Sequence, residues 1–221
     1  MTILVAGAHG GVGQHIVRQL AEAGHSVRAM IRDADQASAM EALGGEPVVS
    51  DLTSDVSDAV SGADAVIFAA GSGGEKLEAV DKNGAIRTID ACVEQGVNRF
   101  VMLSSIGAGA PDEADQLQDY LRAKHAADEH LKASPLTWTI LRPTRLLNGA
   151  AKGYIPFMRG STRRIEVRQV TAIGVVPNNR ASLATAIGQG AALLIRVAPR
   201  TLTYRCALVF SSVAILISIG V

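Results

Sequence analysis

Cysteine is scarce in this chain. Cys92 and Cys206 are the two among 221 residues, too few for a disulfide framework or a zinc cluster, and they fit a reducing compartment. A positive surplus is also missing. The 21 basic side chains are balanced by 21 acidic ones, which excludes general nucleic-acid binding through a basic surface. Aromatic residues make up only 4%, so the core has to be built from aliphatic side chains and alanine, and 48% apolar content is enough for that. His9, His15, His25, His125 and His130 show no metal-ligand spacing. His125 and His130 lie five apart on an expected helix and face different ways, so no metal is expected. No signal peptide is read at the start, because Met1 leads into an apolar strand without a basic region; a cytoplasmic location is the expectation.

What is present begins at the N-terminus. Ile3-Leu4-Val5-Ala6 is a short apolar run, Gly7, Gly10 and Gly13 follow, and Val12, Ile16, Val17 and Leu20 then recur at helical spacing. Strand, tight glycine turn and helix in that order aim unpaired helix N–H groups at an anion, typically a dinucleotide pyrophosphate. The turn Gly7, His9, Gly10, Gly11, Val12 and Gly13 is therefore the candidate phosphate cradle.

Strands and helices alternate after it. Strands are read at 26–31, 47–50, 65–70, 99–103 and 137–141, with helices at 34–43, 54–61 and 113–132 and another whose buried stripe is Ile86, Ile89 and Val93. This repetition predicts an α/β fold, a Rossmann-type doubly wound parallel sheet with helices on both faces and ligands at the carboxyl ends of its strands. Residues 1–147 form the nucleotide-binding domain in this reading, with 148–221 a separate C-terminal segment.

Candidate functional groups stand at those strand ends. Arg32-Asp33 follows the second strand, where such folds read the adenosine ribose: an arginine favours a 2′-phosphate, an acid a free 2′-hydroxyl. Arg32 comes first, and Asp33 has an alternative role as a helix cap, so NADP is preferred over NAD. Asp51-Leu52 can flank the adenine, with helix capping by Asp51 the competing reading. Ala69-Ala70-Gly71 is small enough for close backbone approach. Tyr120 and Lys124 lie four apart on one helix face, after a strand ending in Ser104-Ser105. An ammonium beside the phenol is expected to lower its pKa, so that the tyrosine can exchange a proton while hydride moves to or from a nicotinamide. Lys124 can also hold the nicotinamide ribose, and a serine hydroxyl can orient the substrate oxygen.

These motifs, with Arg99-Phe100-Val101-Met102-Leu103, Ala127-Asp128 and Thr137–Pro143, resemble the atypical short-chain dehydrogenase/reductases, and among them the NmrA-like, NAD(P)H-binding branch, over residues 2–147. The resemblance implies that Gly7, Gly10 and Gly13 contact the pyrophosphate and Arg32 the 2′-phosphate, with Ser104 also on the cofactor side. Ser105, Tyr120 and Lys124 would match the catalytic serine, tyrosine and lysine. His9 departs from the usual threonine or serine of the turn. The branch also includes members that bind NADP as sensors and catalyse nothing known. The expected function is an NADP-dependent oxidoreductase acting on a small carbonyl or quinone; the alternatives are a non-catalytic NADPH/NADP sensor and a nucleotide-sugar epimerase.

After Leu147 no family motif is legible, and acidic residues soon vanish. Residues 1–166 carry 16 basic and 21 acidic groups, whereas 167–221 carry five arginines and no acid. Cys206–Val221 is uncharged and mostly apolar, slightly short of the roughly 20 residues of a spanning helix. A membrane tail flanked by Arg196, Arg200 and Arg205 is one reading and a buried terminal element another. An altered reading frame near 148–170 is the one preferred.

Overall fold

The computed structural model describes residues 1–143, 146 and 173–177. The stretch at 148–170 and the tail at 206–221 lie outside these residues. Six short aliphatic runs form the strands β1 (Thr2–Ala6), β2 (Ser26–Ile31), β3 (Glu46–Val49), β4 (Ala65–Phe68), β5 (Arg99–Leu103) and β6 (Thr137–Pro143). Between them lie the helices α1 (Gly11–Glu22), α2 (Ala37–Glu41), α3 (Ser57–Val60), α4 (Asn83–Glu94) and α5 (Gln118–Ala133). A further strand, β7 (Ile173–Pro177), completes one sheet in the order β3-β2-β1-β4-β5-β6-β7.

The first six strands are parallel, as expected; β7 runs antiparallel along β6, pairing Leu141 with Val175. That edge strand was not foreseen. Strand order reverses between β1 and β4, which opens a crevice at their carboxyl ends.

Alternation along the strands divides the core in two. Leu4, Ala6, Val66, Phe68, Phe100, Met102 and Ile140 face α3, α4 and α5, meeting Ala59, Ala85, Ile89, Cys92, Ala127 and Leu131. Ile3, Val5, Val27, Ala29, Ile31 and Ile67 face α1 and α2, meeting Ile16, Val17, Leu20 and Met40. Aliphatic and alanine side chains do most of this filling, as the low aromatic content requires. Gly24 ends α1 as expected: its φ is +83°, its N–H bonds Ala21 O at 2.9 Å, and the His25 N–H bonds Leu20 O at 3.0 Å.

Three local readings change. The expected helix at 34–43 is a 3₁₀ turn (Ala34–Gln36) followed by the short α2. α5 begins at Gln118, after a 3₁₀ turn at Pro111–Glu113 and after Leu117 in left-handed backbone. On α4 Ile89 is buried as expected, but the rest of the buried stripe is small or polar (Gly84, Ala85, Thr88, Ala91 and Cys92), whereas Val93 is exposed and Ile86 half-buried. A π-helical turn, Leu77–Lys82, precedes the helix. Arg87 supports that turn, donating to Ala79 O at 3.0 Å and to Leu52 O at 2.9 Å.

Candidate active site

All the expected site residues gather at one edge of the sheet. The cradle follows β1, Arg32-Asp33 follows β2, and Asp51-Leu52 follows β3. Ala69–Gly71 follows β4, Ser104-Ser105 follows β5, and Tyr120 and Lys124 enter from α5.

The cradle is shaped by missing side chains. Gly7 has φ +81°, and a Cβ there would lie 2.6 Å from Ala70 Cα and 2.7 Å from Ala70 N. A Cβ on Gly13 would collide with Gly7 O and lie 2.7 Å from Ala8 O, whereas one on Gly11 would meet nothing within 4 Å. Gly10 turns back on Gly7 O (3.1 Å), and Gln14 holds the carbonyl of exposed His9 at 2.8 Å. No side chain caps α1 and no acid lies in its first turn, so its leading N–H groups and positive dipole end face the crevice. These residues fit a dinucleotide pyrophosphate: the backbone is open where a phosphate would approach, and the local field is positive.

At the next strand end Arg32 is exposed and pairs with Asp33 at 3.1 Å. Asp33 makes no side-chain cap. Its carboxylate also accepts from Gln36 at 3.2 Å, so the capping reading gives way to a small exposed cluster. Asp51 is not a helix cap either. It closes its own loop, accepting from the Thr53 N–H at 2.7 Å and hydroxyl at 2.8 Å, and these bonds hold its pKa below the ordinary value. Leu52 is half-buried and packs against the α4 side of the core. Ala69 N bonds Ala6 O at 2.9 Å, keeping Ala69–Gly71 alongside the cradle.

Three side chains on α5, each four residues from the next, point into this edge: half-buried Tyr120, then Lys124, then fully buried Asp128. Lys124 Nζ lies 5.8 Å from the centre of the Tyr120 ring and 6.0 Å from that of Phe68, and donates to Ala70 O at 3.3 Å. Its counter-charge was missed in the sequence. Asp81, on the π-helical turn, places Oδ1 3.2 Å from Nζ, with the two side chains only 0% and 3% exposed.

That pair reverses the expected effect on Tyr120. Burial, and then the Asp81 charge, raise the phenol pKa above its ordinary value, against a lowering effect of Ser105. The ammonium beside the ring is already neutralised, so it does not draw out a phenolate. Tyr120 is protonated at neutral pH.

Ser104 and Ser105 have different surroundings. Ser105 is half-buried and its hydroxyl donates to Ile106 O at 3.3 Å, whereas Ser104 is buried and its hydroxyl donates to Asp128 Oδ2 at 2.8 Å. That donation leaves the Ser104 hydroxyl only its acceptor capacity for a cofactor. Arg142, from the end of β6, donates to the same oxygen through Nε (3.0 Å) and a terminal nitrogen (2.9 Å). Burial still holds the Asp128 carboxyl above its ordinary pKa, against the pull of Arg142. This network ties β5, α5 and β6 together beneath the site.

Among the described residues no group of three His, Cys, Asp or Glu could hold a metal ion, and no helix is long and apolar enough to cross a membrane. His125 instead bonds Ala108 O at 2.8 Å, and His130 faces Asp90 at 2.6 Å.

Known proteins share this arrangement. The profile of the NAD(P)H-binding family matches residues 7–187, running past Leu147, across 148–170 and through β7. A Bacillus subtilis protein named as an uncharacterized sugar epimerase, YhfK, is 38% identical over 164 residues, covering 70% of this chain and 77% of that one. The NAD(P)H azoreductase of Xenophilus azovorans is 28% identical over 185 residues, covering 78% and 62%. A solved structure, a putative NAD-dependent epimerase/dehydratase from Bacillus halodurans, superimposes with a TM-score of 0.71 at 35% identity, covering 85% of this chain and 86% of that one. The cradle, the strand order and these likenesses agree: the chain belongs to the NAD(P)H-binding family, an NmrA-like branch of the atypical short-chain dehydrogenase/reductases.

Proposed function

We propose that the chain is an NADP-dependent reductase of a small carbonyl, quinone or related acceptor. The observation that carries this reading is the position of Tyr120: a phenol whose ring centre lies 5.8 Å from the Lys124 ammonium, beside Ser105, at the sheet edge that holds the phosphate cradle. NADPH supplies the hydride when bound. Tyr120 donates its phenolic proton to the acceptor oxygen, and Ser105 orients that oxygen by hydrogen bonding. Lys124 holds the nicotinamide ribose and steadies the phenolate once the proton has left. Gly7, Gly10 and Gly13 with the start of α1 hold the pyrophosphate, and Arg32 the 2′-phosphate. The azoreductase name of one relative supports reduction of a small conjugated acceptor.

Two other readings keep specific support. Commitment of Lys124 to Asp81 favours a protein that binds NADPH and reports its level without turnover. The epimerase names of YhfK and the B. halodurans structure favour hydride transfer within a sugar nucleotide.

NADPH oxidation with a panel of quinones, aldehydes and azo dyes separates these possibilities. Tyr120→Phe is expected to lower turnover by about a hundredfold or more while leaving NADPH binding intact. Unchanged turnover in that variant would refute the donor assignment. Tight NADPH binding with no reduction across the panel would favour the sensor.

A further inference from the structure

Asp81 is anchored more firmly than a surface carboxylate on a turn would be. Its Oδ2 accepts the Ser72 N–H at 3.0 Å and the Ser72 hydroxyl at 2.6 Å, while Oδ1 faces Lys124 at 3.2 Å. Oδ1 makes no directed hydrogen bond among the described residues, so its pairing with the ammonium is ionic and leaves a lone pair unfilled. Ser72 lies in the Gly71–Gly74 loop after β4, and its hydroxyl accepts from the Lys76 N–H at 3.0 Å. A Cβ on Gly71 would come within 3.4 Å of Asp81 Oδ1, so the loop backbone closes over the carboxylate. Lys124 meanwhile bonds Ala70 O, one residue before that loop and in contact with the cradle glycine Gly7.

We infer that Asp81 is a positioning residue: one buried carboxylate holds the Lys124 ammonium under the end of β4 and, through Ser72, pins the Gly71–Gly74 loop that walls the crevice. The inference rests on Tyr120 and Lys124 forming the site. A buried charge pair is costly unless further hydrogen bonds support it, and Ser72 provides them. Because Asp81 neutralises the ammonium, it also sets the charge that Tyr120 feels. The groups facing the phenol are Asp81 from the turn before α4, Lys124 and Asp128 from α5, and Ser105 from the end of β5. Arg142 from β6 is spent on Asp128, and Glu78 and Lys82 pair with each other at 2.6 Å.

The test reads the phenol directly, without cofactor or turnover. Tyrosine Cζ ¹³C shifts are followed against pH in the full chain, with Tyr120→Phe identifying the Tyr120 signal among three tyrosines. Asp81→Asn keeps an acceptor for Ser72 but removes the charge, and is expected to lower the Tyr120 midpoint by at least half a pH unit. Asp81→Asn/Lys124→Met removes both charges, and is expected to return the midpoint toward that of the wild type and to recover thermal stability lost in the single variant. A purely structural Asp81 would destabilise the fold without moving the Tyr120 midpoint. Coincident midpoints in folded wild type and Asp81→Asn, or a double variant that titrates like the single, would overturn the proposal. Absence of any reductase activity would leave these titrations readable, so the two failures are distinct.

Discussion

Gly7 and Ala70, at the ends of adjacent parallel strands, approach so closely that a single methyl group on Gly7 would lie 2.6 Å from the backbone of Ala70. The two strand ends meet here main chain to main chain. Gly7→Ala must therefore move a strand end as well as strain a residue at φ +81°. It is expected to cost roughly 1–3 kcal/mol from the backbone alone and to abolish NADPH binding. Gly11→Ala, with open space around it, should leave thermal stability close to wild type. Thermal unfolding and NADPH fluorescence titration of both variants check the contrast, and equal destabilisation by the two would contradict it.

Arg32 governs the choice between cofactors if it meets a 2′-phosphate. Arg32→Ala should weaken NADPH binding by about tenfold or more and leave NADH binding little changed. Asp33 competes for the same guanidinium at 3.1 Å, so Asp33→Asn should tighten NADPH binding. Titrating both cofactors against both variants decides the matter; equal loss of NADPH and NADH affinity in Arg32→Ala would rule out a 2′-phosphate contact.

The sign of the Tyr120 shift makes a statement about pH. If Tyr120 is the proton donor, reduction uses its neutral phenol, and burial with Asp81 raises the pKa of that phenol above the ordinary tyrosine value. The donor thus stays loaded through neutral and mildly alkaline solution, and the rate of reduction should fall only above that value. The reverse oxidation, which needs the phenolate, should climb over the same range. Rate profiles in both directions test this, and a loss of reduction near pH 7 to 8 would contradict it.

Asp128 is expected to matter for stability. Asp128→Ala leaves Arg142 and the Ser104 hydroxyl without their shared acceptor, and should cost roughly 3 kcal/mol in urea unfolding at neutral pH. Its folded-state pKa is raised, so its carboxyl binds more protons in the folded chain than in the unfolded one. Its contribution therefore declines as pH rises from the ordinary carboxylate value through the raised one. Asp128→Asn should remove that slope from the stability profile.

Cys92 offers a check on the core of the α4 face. Burial pushes its thiol up to about 12. In a Cys206→Ser background the native protein should resist thiol reagents and react once unfolded in urea. Rapid labelling of the folded protein would contradict the packing.

Much of this was legible in the sequence for simple physical reasons. Aliphatic runs of four to six residues ending in glycine or a polar residue can be little else in an alternating chain, so β1 to β6 were placed within a few residues. Strand ends are where such folds carry their sites, which singled out Arg32, Asp51 and Ser105; Tyr120 came from its four-residue spacing to Lys124 on one helix. Asp81 was overlooked because Glu75–Asn83 has the composition of a solvated helix. Its signal was its phase: it lies four before Ala85 and seven before Thr88, on the stripe that proves buried. That phase was obscured because, Ile89 apart, the stripe is made of glycine, alanine, threonine and cysteine, while Ile86 and Val93, which also suggested a face, sit beside it. β7 was missed because its partner strand is far away in sequence and no turn connects them locally.

The helix α5 has a last consequence. Tyr120, Lys124 and Asp128 recur every fourth residue on an element that turns about 100° per residue, and they pass from half-buried to fully buried along it. The proposed proton donor, the proposed ribose cation and the carboxylate that ties the sheet edge are thus marks on one ruler. Substitutions can erase a single mark, but inserting or deleting one residue between Tyr120 and Asp128 would swing one end relative to the other. No side-chain change could restore the set. Length in this segment is therefore the constraint, and variation in the family should be found in what stands between the marks, not in their spacing.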